Sequence, residues 1–300
     1  MVAAVISDLH LGSRTRGDLL NRPEVRARLL DELAGADEVV LLGDSIELRD
    51  DPFAQALERA LPFFDALGGM LGDRRVTIVP GNHDHRLTEG WVGGATPLGL
   101  EQWSEIGPGD PLEPVVRSMG RARVRLAYPG VWLREDVYAT HGHYLDCHSQ
   151  ARTFECRASE AIRRARRMGP DGFRTPSDYE AVLAPLYRLI HWSVQMRVVR
   201  PAALGAKALI RRWEQPRADR TARVRPGVGA MTQVVRNLGV DARHVLFGHL
   251  HRPGRWEMGS GGELVNTGGW VEDPSAVSPG NVVWVRDEGA PELKTVRTTP

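Results

Sequence analysis

The chain has 300 residues and a formal net charge of +1, with 42% hydrophobic and 26% charged side chains. This balance is ordinary for a chain that buries a core, and it excludes a disordered chain, a collagen and a coiled coil. No apolar run approaches the roughly 18 residues of a membrane span, and the N-terminal stretch lacks the basic region of a secretory signal. Two cysteines, Cys147 and Cys156, are too few for a disulfide framework. We therefore expect one domain over residues 1–300 in a reducing cytoplasm.

The N-terminal part of the chain alternates between strands and helices. Short apolar runs predict strands at residues 2–6, 38–42 and 76–79. Apolar residues at helical spacing predict helices over residues 24–34 and 53–67 between them. This order of elements indicates an α/β protein with right-handed crossovers.

The middle of the chain is less regular. Residues 90–114 are rich in Gly, Pro and acidic residues and are predicted to form a loop. Strands are predicted next, at residues 124–126, 131–133 and 136–140. The α/β pattern resumes near the C-terminus, with a helix at 230–238 and strands at 244–247, 263–266 and 281–286.

Between these parts, residues 148–228 are predicted to form a helical, arginine-rich insertion or cap. Residues 151–227 hold 17 basic and 7 acidic side chains, a net charge of +10, so the rest of the chain carries −9. The insertion begins just after one histidine-rich strand end and stops before another, so it should overhang the site between them. We expect it to govern substrate choice and not the chemistry.

Five predicted strands end in polar clusters. They are Asp8-Leu9-His10, Gly43-Asp44, Gly81-Asn82-His83-Asp84, His141-Gly142-His143 and Gly248-His249-Leu250-His251. Ligands of α/β sheets bind beyond the carboxyl ends of the strands, so these clusters should converge. Imidazole and carboxylate without thiolate is a ligand set for Mn, Fe, Zn or Co. One metal needs about four ligands. The clusters offer more, which favours two metals that share one carboxylate.

In this order the five clusters resemble the motifs of the calcineurin-like metallophosphoesterase superfamily. The resemblance spans Asp8 to His251 and implies an α/β four-layer sandwich, two mixed β-sheets flanked by helices, with a dinuclear metal centre. The GNHDH run, the HGH run and Asn266-Thr267-Gly268-Gly269-Trp270 are similar to the bacterial branch of UDP-2,3-diacylglucosamine diphosphatases. We take that branch as a pointer to the substrate, not as an assignment.

The resemblance implies that seven side chains hold the metals. They are Asp8, His10 and His251 for one ion, Asn82, His141 and His249 for the other, and Asp44 as the bridge between the two. His143 is an alternative to His141 as a ligand. The family often has Asp where this chain has Glu47, which the resemblance places behind the ligands.

The resemblance also implies two catalytic residues. His83 matches the position that meets the phosphate and the leaving group, and Asp84 matches the carboxylate that orients this histidine. His85 is either a substrate contact or a solvated loop histidine, and His143 is a second candidate substrate contact. His148, His191 and His244 match nothing in the family and are expected to be surface histidines or hydrogen-bonded core histidines.

The implied reaction is hydrolysis of a phosphoester or pyrophosphate bond by a metal-bridging hydroxide. It needs two divalent ions per chain, with Mn²⁺ preferred over Fe, Zn or Co, and a small or lipid-linked anionic substrate. The alternative is a nuclease or cyclic-nucleotide phosphodiesterase of the same fold. A non-catalytic metal-binding scaffold is disfavoured because every ligand position is filled.

Four arginines of the insertion are candidate substrate contacts: Arg163, Arg164, Arg166 and Arg167. Three interpretations compete: a cap with solvated arginines, a cap that meets a lipid-linked substrate or an anionic membrane, and a nucleic-acid surface. The expected location is the cytoplasm, with the inner face of the membrane as a peripheral site. The sequence has no feature that sets the oligomeric state.

Overall fold

The computed structural model of the protein describes residues 1–14, 17–94, 96–151, 153–169, 172–196, 200–214, 224–259, 261–272 and 279–298. The strands are β1 (Ala3–Ile6), β2 (Glu38–Leu42), β3 (Arg75–Val79), β4 (Glu101–Glu105), β5 (Arg123–Arg134), β6 (Val137–Thr140), β7 (His244–Phe247), β8 (Gly254–Glu257), β9 (Glu263–Asn266), β10 (Asn281–Val285) and β11 (Glu292–Thr295). The helices are α1 (Pro23–Leu33), α2 (Phe53–Leu71), α3 (Glu113–Ser118), α4 (Phe154–Ala165), α5 (Pro176–Gln195), α6 (Arg200–Glu214) and α7 (Val224–Asn237).

The strands form two β-sheets that share the long strand β5. One sheet has the order β11-β10-β1-β2-β3-β5, with β4 antiparallel to the first half of β5. The other continues from the second half of β5 as β6-β7-β9-β8. β1, β2 and β3 are parallel to one another, and so are β6, β7 and β9. The carboxyl ends of the five strands that precede the polar clusters therefore meet at shared sheet edges.

The two sheets face each other across a mainly apolar layer, with Glu38 and Thr77 buried at one end of it. Alternate residues of both sheets, among them Val5, Val40, Ala139 and Leu246, form this inner layer. The outer face of the first sheet packs on α1, α2 and α3, and that of the second packs on α5 and α7. This arrangement confirms the predicted four-layer sandwich of helices, sheet, sheet and helices.

Three local predictions are wrong. The predicted loop at 90–114 contains β4, an edge strand in which Trp103 is the only apolar residue, so its sequence has no apolar run to detect. The predicted strands at 124–126 and 131–133 are one strand, β5, because the Pro129-Gly130 pair between them does not break the ladder. Helix α7 begins at Val224 rather than residue 230, with its proline in the first turn, where proline is tolerated.

The region predicted as a helical insertion contains α4, α5 and α6. Thr153 caps α4 by accepting from the Cys156 N–H, and Thr175 and Asp178 form a capping box at the start of α5. Among the residues that the structure describes, no helix combines the length and the apolar character required to cross a membrane.

Candidate active site

The predicted ligands adopt a backbone conformation that side chains seldom tolerate. Six non-glycine residues in the described part of the chain have positive φ, and five of them are predicted ligands. These five are Asp8 (53°), His10 (46°), Asp44 (50°), His249 (67°) and His251 (52°). The left-handed region costs about 1–2 kcal/mol per L-residue, and such strain concentrates at functional sites. The backbone of the strand-end turns is therefore strained, and this strained conformation directs the five side chains toward one another.

The first group of ligand atoms comes from the loops after β1 and β7. The Nε2 atom of His251 lies 3.2 Å from Asp8 Oδ1 and 3.3 Å from His10 Nε2. His10 Nε2 also lies 3.6 Å from Asp44 Oδ2. All four side chains are buried, so the group is enclosed by protein on most sides.

The second group comes from the loops after β2, β3, β6 and β7. The amide oxygen of Asn82 lies 3.0 Å from His141 Nε2 and 3.1 Å from His249 Nδ1. His141 Nε2 lies 3.4 Å from Asp44 Oδ1. Asp44 thus presents one carboxylate oxygen to each group, which is the placement that a bridging carboxylate requires.

In three of the predicted ligand histidines, the ring nitrogen that faces away from the other ligands contacts an acceptor. His10 Nδ1 pairs with Glu47 at 3.0 Å, and His141 Nδ1 faces the Leu42 carbonyl at 3.1 Å. His249 Nε2 pairs with Asp146 at 3.2 Å. An acceptor on one ring nitrogen fixes the proton there and leaves the other nitrogen with a lone pair that points into the site. When these rings are neutral, the site is therefore lined by acceptors that face one another.

This set of atoms fits two divalent cations. Ligand atoms about 2.1 Å from one ion lie about 3.0–3.4 Å from one another in tetrahedral or octahedral geometry. The distances within the two groups run from 3.0 to 3.6 Å. Either end of the Asn82 amide can face the two rings, and its oxygen is the end that can bind a cation. Imidazole, carboxylate and amide oxygen together suit Mn, Fe, Zn or Co.

The charges of the site are strongly coupled. Burial by itself raises the pKa of the Asp44 carboxyl, but His141, His83 and His10 hold that pKa well below its usual range. Burial lowers the pKa of His141, yet Asp44 more than compensates and raises it to about 9. A cation that binds His141 therefore competes with the second proton of this ring.

His83 lies between the centre and a carboxylate. Its Nε2 atom is 3.9 Å from Asp44 Oδ2, and its ring meets the His10 ring edge-on at 4.6 Å. Its Nδ1 atom lies 2.8 Å from both oxygens of Glu47. Glu47 thus contacts a predicted ligand and the predicted catalytic histidine with one carboxylate.

The role predicted for Asp84 is wrong. Its carboxylate accepts backbone N–H groups from Gly81 at 2.6 Å and from Ser45 at 2.8 Å, and it faces away from the His83 ring toward the Asp44 turn. Burial and the nearby Asp44 charge raise the pKa of Asp84 to about 6. Asp84 therefore links, through hydrogen bonds, the turn that carries His83 and the turn that carries Asp44. The carboxylate that contacts the His83 ring is Glu47.

The other predicted contacts are distributed over two places. His85 and His143 are buried beside the site, which excludes a solvated His85, and the structure places His141 rather than His143 in the second ligand group. The four predicted arginines lie at the end of α4. Arg163 bonds to Glu160 and to the Met168 carbonyl, while Arg164, Arg166 and Arg167 are exposed. The contacts of the described residues bring none of these four to the metal centre.

Sequence reasoning missed two charged groups next to the site. Asp146 holds His249, and the signal available was its position shortly after the HGH run. Arg49 is buried, pairs with Glu155 of α4 at 3.2 Å and lies 5.0 Å over the Tyr187 ring of α5. Neither contact is visible from local spacing, because each depends on how distant loops pack.

We expect Glu47→Gln to lower kcat by about 10–100-fold, as for other residues that orient metal-site histidines. Glutamine keeps the shape but loses the charge, and only one of its two terminal atoms can accept a hydrogen bond. Turnover and metal content per chain measure the effect. Glu38→Gln is the control, because Glu38 is an equally buried carboxylate at the opposite end of β2. Unchanged turnover in Glu47→Gln would contradict the role given to Glu47.

Comparison with known proteins identifies the family of this chain. A profile of the calcineurin-like phosphoesterase family matches residues 1–253, which include all five strand-end clusters. No curated protein sequence matches the chain. Among solved structures, a dimetal phosphatase from Danio rerio has 16% identity and a TM-score of 0.40 over 99% of both chains. A predicted phosphoesterase from Streptococcus pneumoniae TIGR4 has 17% identity and a TM-score of 0.28 over 95% of this chain and 83% of its own.

Proposed function

We propose that this chain, which belongs to the calcineurin-like phosphoesterases and is therefore a phosphoester hydrolase, works through two divalent ions in one buried centre. The observation that carries this proposal is the convergence of two ligand groups on the two oxygens of Asp44. The proposed ligands are the seven residues named above. Two bound ions, Mn²⁺ first among them, would polarise the phosphoryl oxygens as Lewis acids and supply hydroxide at neutral pH.

The proposed catalytic residue of the chain is His83. Glu47 accepts from Nδ1, and Nε2 is the nitrogen that carries the proton used in the proposed reaction. That proton can pass to the leaving oxygen as its bond to phosphorus breaks, so the departing group leaves neutral. Before the transfer, the same positive ring helps to balance the negative charge that develops on the phosphoryl oxygens.

For the substrate, we propose a small or lipid-linked anionic phosphoester or pyrophosphate, with residues 148–228 as a cap beside the centre. Two features of this segment support a lipid-linked molecule. Its helix α5 exposes Leu189 and Trp192 to solvent at 61% and 49%, and Met196, directly after the helix, is exposed at 42%. The segment also carries the excess positive charge of the chain. Exposed apolar side chains together with arginines suit an anionic lipid surface.

A hydrolysis screen combined with metal analysis tests the proposed function. The purified protein is supplied with Mn²⁺ and tested on phosphomonoesters, phosphodiesters, nucleotide diphosphate sugars and single-stranded DNA. We expect two metal ions per chain and hydrolysis of a non-polymeric substrate. Cleavage of DNA alone would support the nuclease alternative. Two bound metals without any hydrolysis would support the non-catalytic scaffold.

We expect replacement of Arg164, Arg166 and Arg167 by Gln to weaken binding to vesicles of phosphatidylserine and phosphatidylcholine. Each lost charge should cost about 1 kcal/mol of vesicle binding at low salt. Hydrolysis of a small generic ester should stay unchanged, because these side chains are exposed and none of their described contacts is with a predicted ligand. Vesicle sedimentation at several salt concentrations measures the effect.

The control removes the same charge elsewhere, by replacing Arg117, Arg121 and Arg123, which are exposed on and after α3. If the two triple variants bind vesicles equally, the arginines of α4 are only a solvated surface.

A further inference from the structure

Helix α5 contacts the turn that carries His83 at two points. His191 Nε2 lies 3.2 Å from the backbone carbonyl oxygen of His83, so the ring N–H donates to that carbonyl. Glu180 Oε2 lies 2.8 Å from Nε2 of His85, two residues farther along the turn. These side chains are all at least nine-tenths buried. The two contacts sit about three helical turns apart on α5 and hold the two sides of the His83 turn.

The Glu180 carboxylate also reaches the loop that carries His141. Its Oε1 atom accepts from the Tyr144 hydroxyl at 2.8 Å and from the Tyr128 hydroxyl. Tyr128 in turn lies 3.3 Å from His143 Nε2. Glu180, His85 and His143 have the composition of a metal site. However, hydroxyl and imidazole donors already satisfy this carboxylate, whereas acceptors face one another in the centre around Asp44. The Glu180 group is therefore a hydrogen-bonded support.

From these contacts we infer that α5 positions His83 for its reaction, with His191 and Glu180 as the positioning residues. The inference rests on the role proposed for His83 above. It changes the expected role of the helical segment, which then supports the chemistry in addition to selecting the substrate. Neither His191 nor Glu180 is a catalytic residue, since each acts through the backbone or a neighbour of His83.

The position of His83 is set from two directions. Glu47 accepts a hydrogen bond from Nδ1 of the His83 ring. His191 of α5 donates a hydrogen bond to the backbone carbonyl of His83. Loss of the His191 contact leaves a buried carbonyl without that donor, so the turn must shift to find another partner. A displacement of about 1 Å between a proton donor and the leaving oxygen can cost about 10²-fold in rate.

The test is a substitution of His191 with a rescue. His191→Phe keeps a ring of similar size without a donor, and His191→Gln restores an amide N–H near the position of Nε2. We expect His191→Phe to lower kcat by about 10–100-fold on phenyl phenylphosphonate, a poor leaving group, with an unchanged KM. The loss should be smaller on p-nitrophenyl phenylphosphonate, and His191→Gln should recover most of it. His148→Phe is the control, because His148 lies in the same segment and bonds to Tyr179.

A double-mutant cycle separates positioning from a general loss of structure. In a His83→Ala background, His191→Phe should lower kcat little further, because the imidazole that His191 positions is already absent. An equal cost in both backgrounds would overturn the inference, and so would a failure of His191→Gln to rescue. If His83→Ala by itself has no effect, the proposed function fails instead. The metal content per chain should stay at the parental level throughout.

A second double-mutant cycle combines Glu180→Gln with His83→Ala and tests the contact between Glu180 and His85. Glutamine keeps the shape of the carboxylate. We expect the same dependence on His83 and the same preference for poor leaving groups. This variant also keeps the cycle available if His191→Phe does not fold. Loss of a third metal equivalent in Glu180→Gln would overturn the inference and make the Glu180 group a metal site.

Discussion

Asp44→Ala is expected to abolish hydrolysis, a loss of about 10³-fold or more, because one substitution disturbs both metal positions. Asp44 Oδ2 faces His10, and Oδ1 faces His141 and also accepts the backbone N–H of His83 at 2.7 Å. Asp8 also belongs to two groups of close ligand atoms, one with His10 and His251 and one with Asp44 and His141. Activity with added Mn²⁺ and metal content per chain measure the effect. Parental activity with two metals per chain would refute the bridging role.

Asp44→Asn separates loss of metal from loss of fold. Asparagine keeps the size of the side chain but removes the negative charge that balances the surrounding imidazoles. The isosteric variant should fold, as checked by circular dichroism, and should bind less than the parental two ions. A folded Asp44→Asn protein with full metal content and full activity would contradict the role as clearly as the alanine variant.

His83→Ala is expected to keep both metals and to lower turnover by about 10²–10⁴-fold, the range for loss of a general acid. Esters with good leaving groups should lose less, because their departing oxygens need no proton. An equal loss on good and poor leaving groups would assign His83 to charge stabilisation alone. His83 also lies within one group of close ligand atoms with His10 and Asp44, so loss of metal would make it a ligand.

The control for this variant is His244→Ala. His244 is another buried histidine, at the start of β7, where it pairs with Glu263 at 3.2 Å and far from the carboxyl end of its strand. We expect it to affect stability and not the leaving-group dependence. If both alanine variants change turnover alike, the effect of His83 lies in folding and not in catalysis.

The sequence by itself determined the fold class and the family, and it predicted the set of residues at the centre. Strand ends are local features, because a buried strand is a short apolar run and a polar pair after it marks where the run stops. Asp8 and His10, Gly43 and Asp44, and His249 and His251 are each neighbours in sequence. The order of parallel strands then requires their ends to meet. The structure brings these predicted residues together around Asp44.

Only the tertiary structure decided which residues support that centre. Asp84 and Glu47 are both carboxylates next to a motif, and spacing favoured the wrong one, because a one-residue step past His83 turns the side chain toward the backbone of the Asp44 turn. The contacts of Glu180 with His85 and of His191 with His83 join residues 95 and 108 positions apart. No local pattern encodes such pairs. They exist because α5 packs across the strand ends, and packing sets the direction of every buried side chain there.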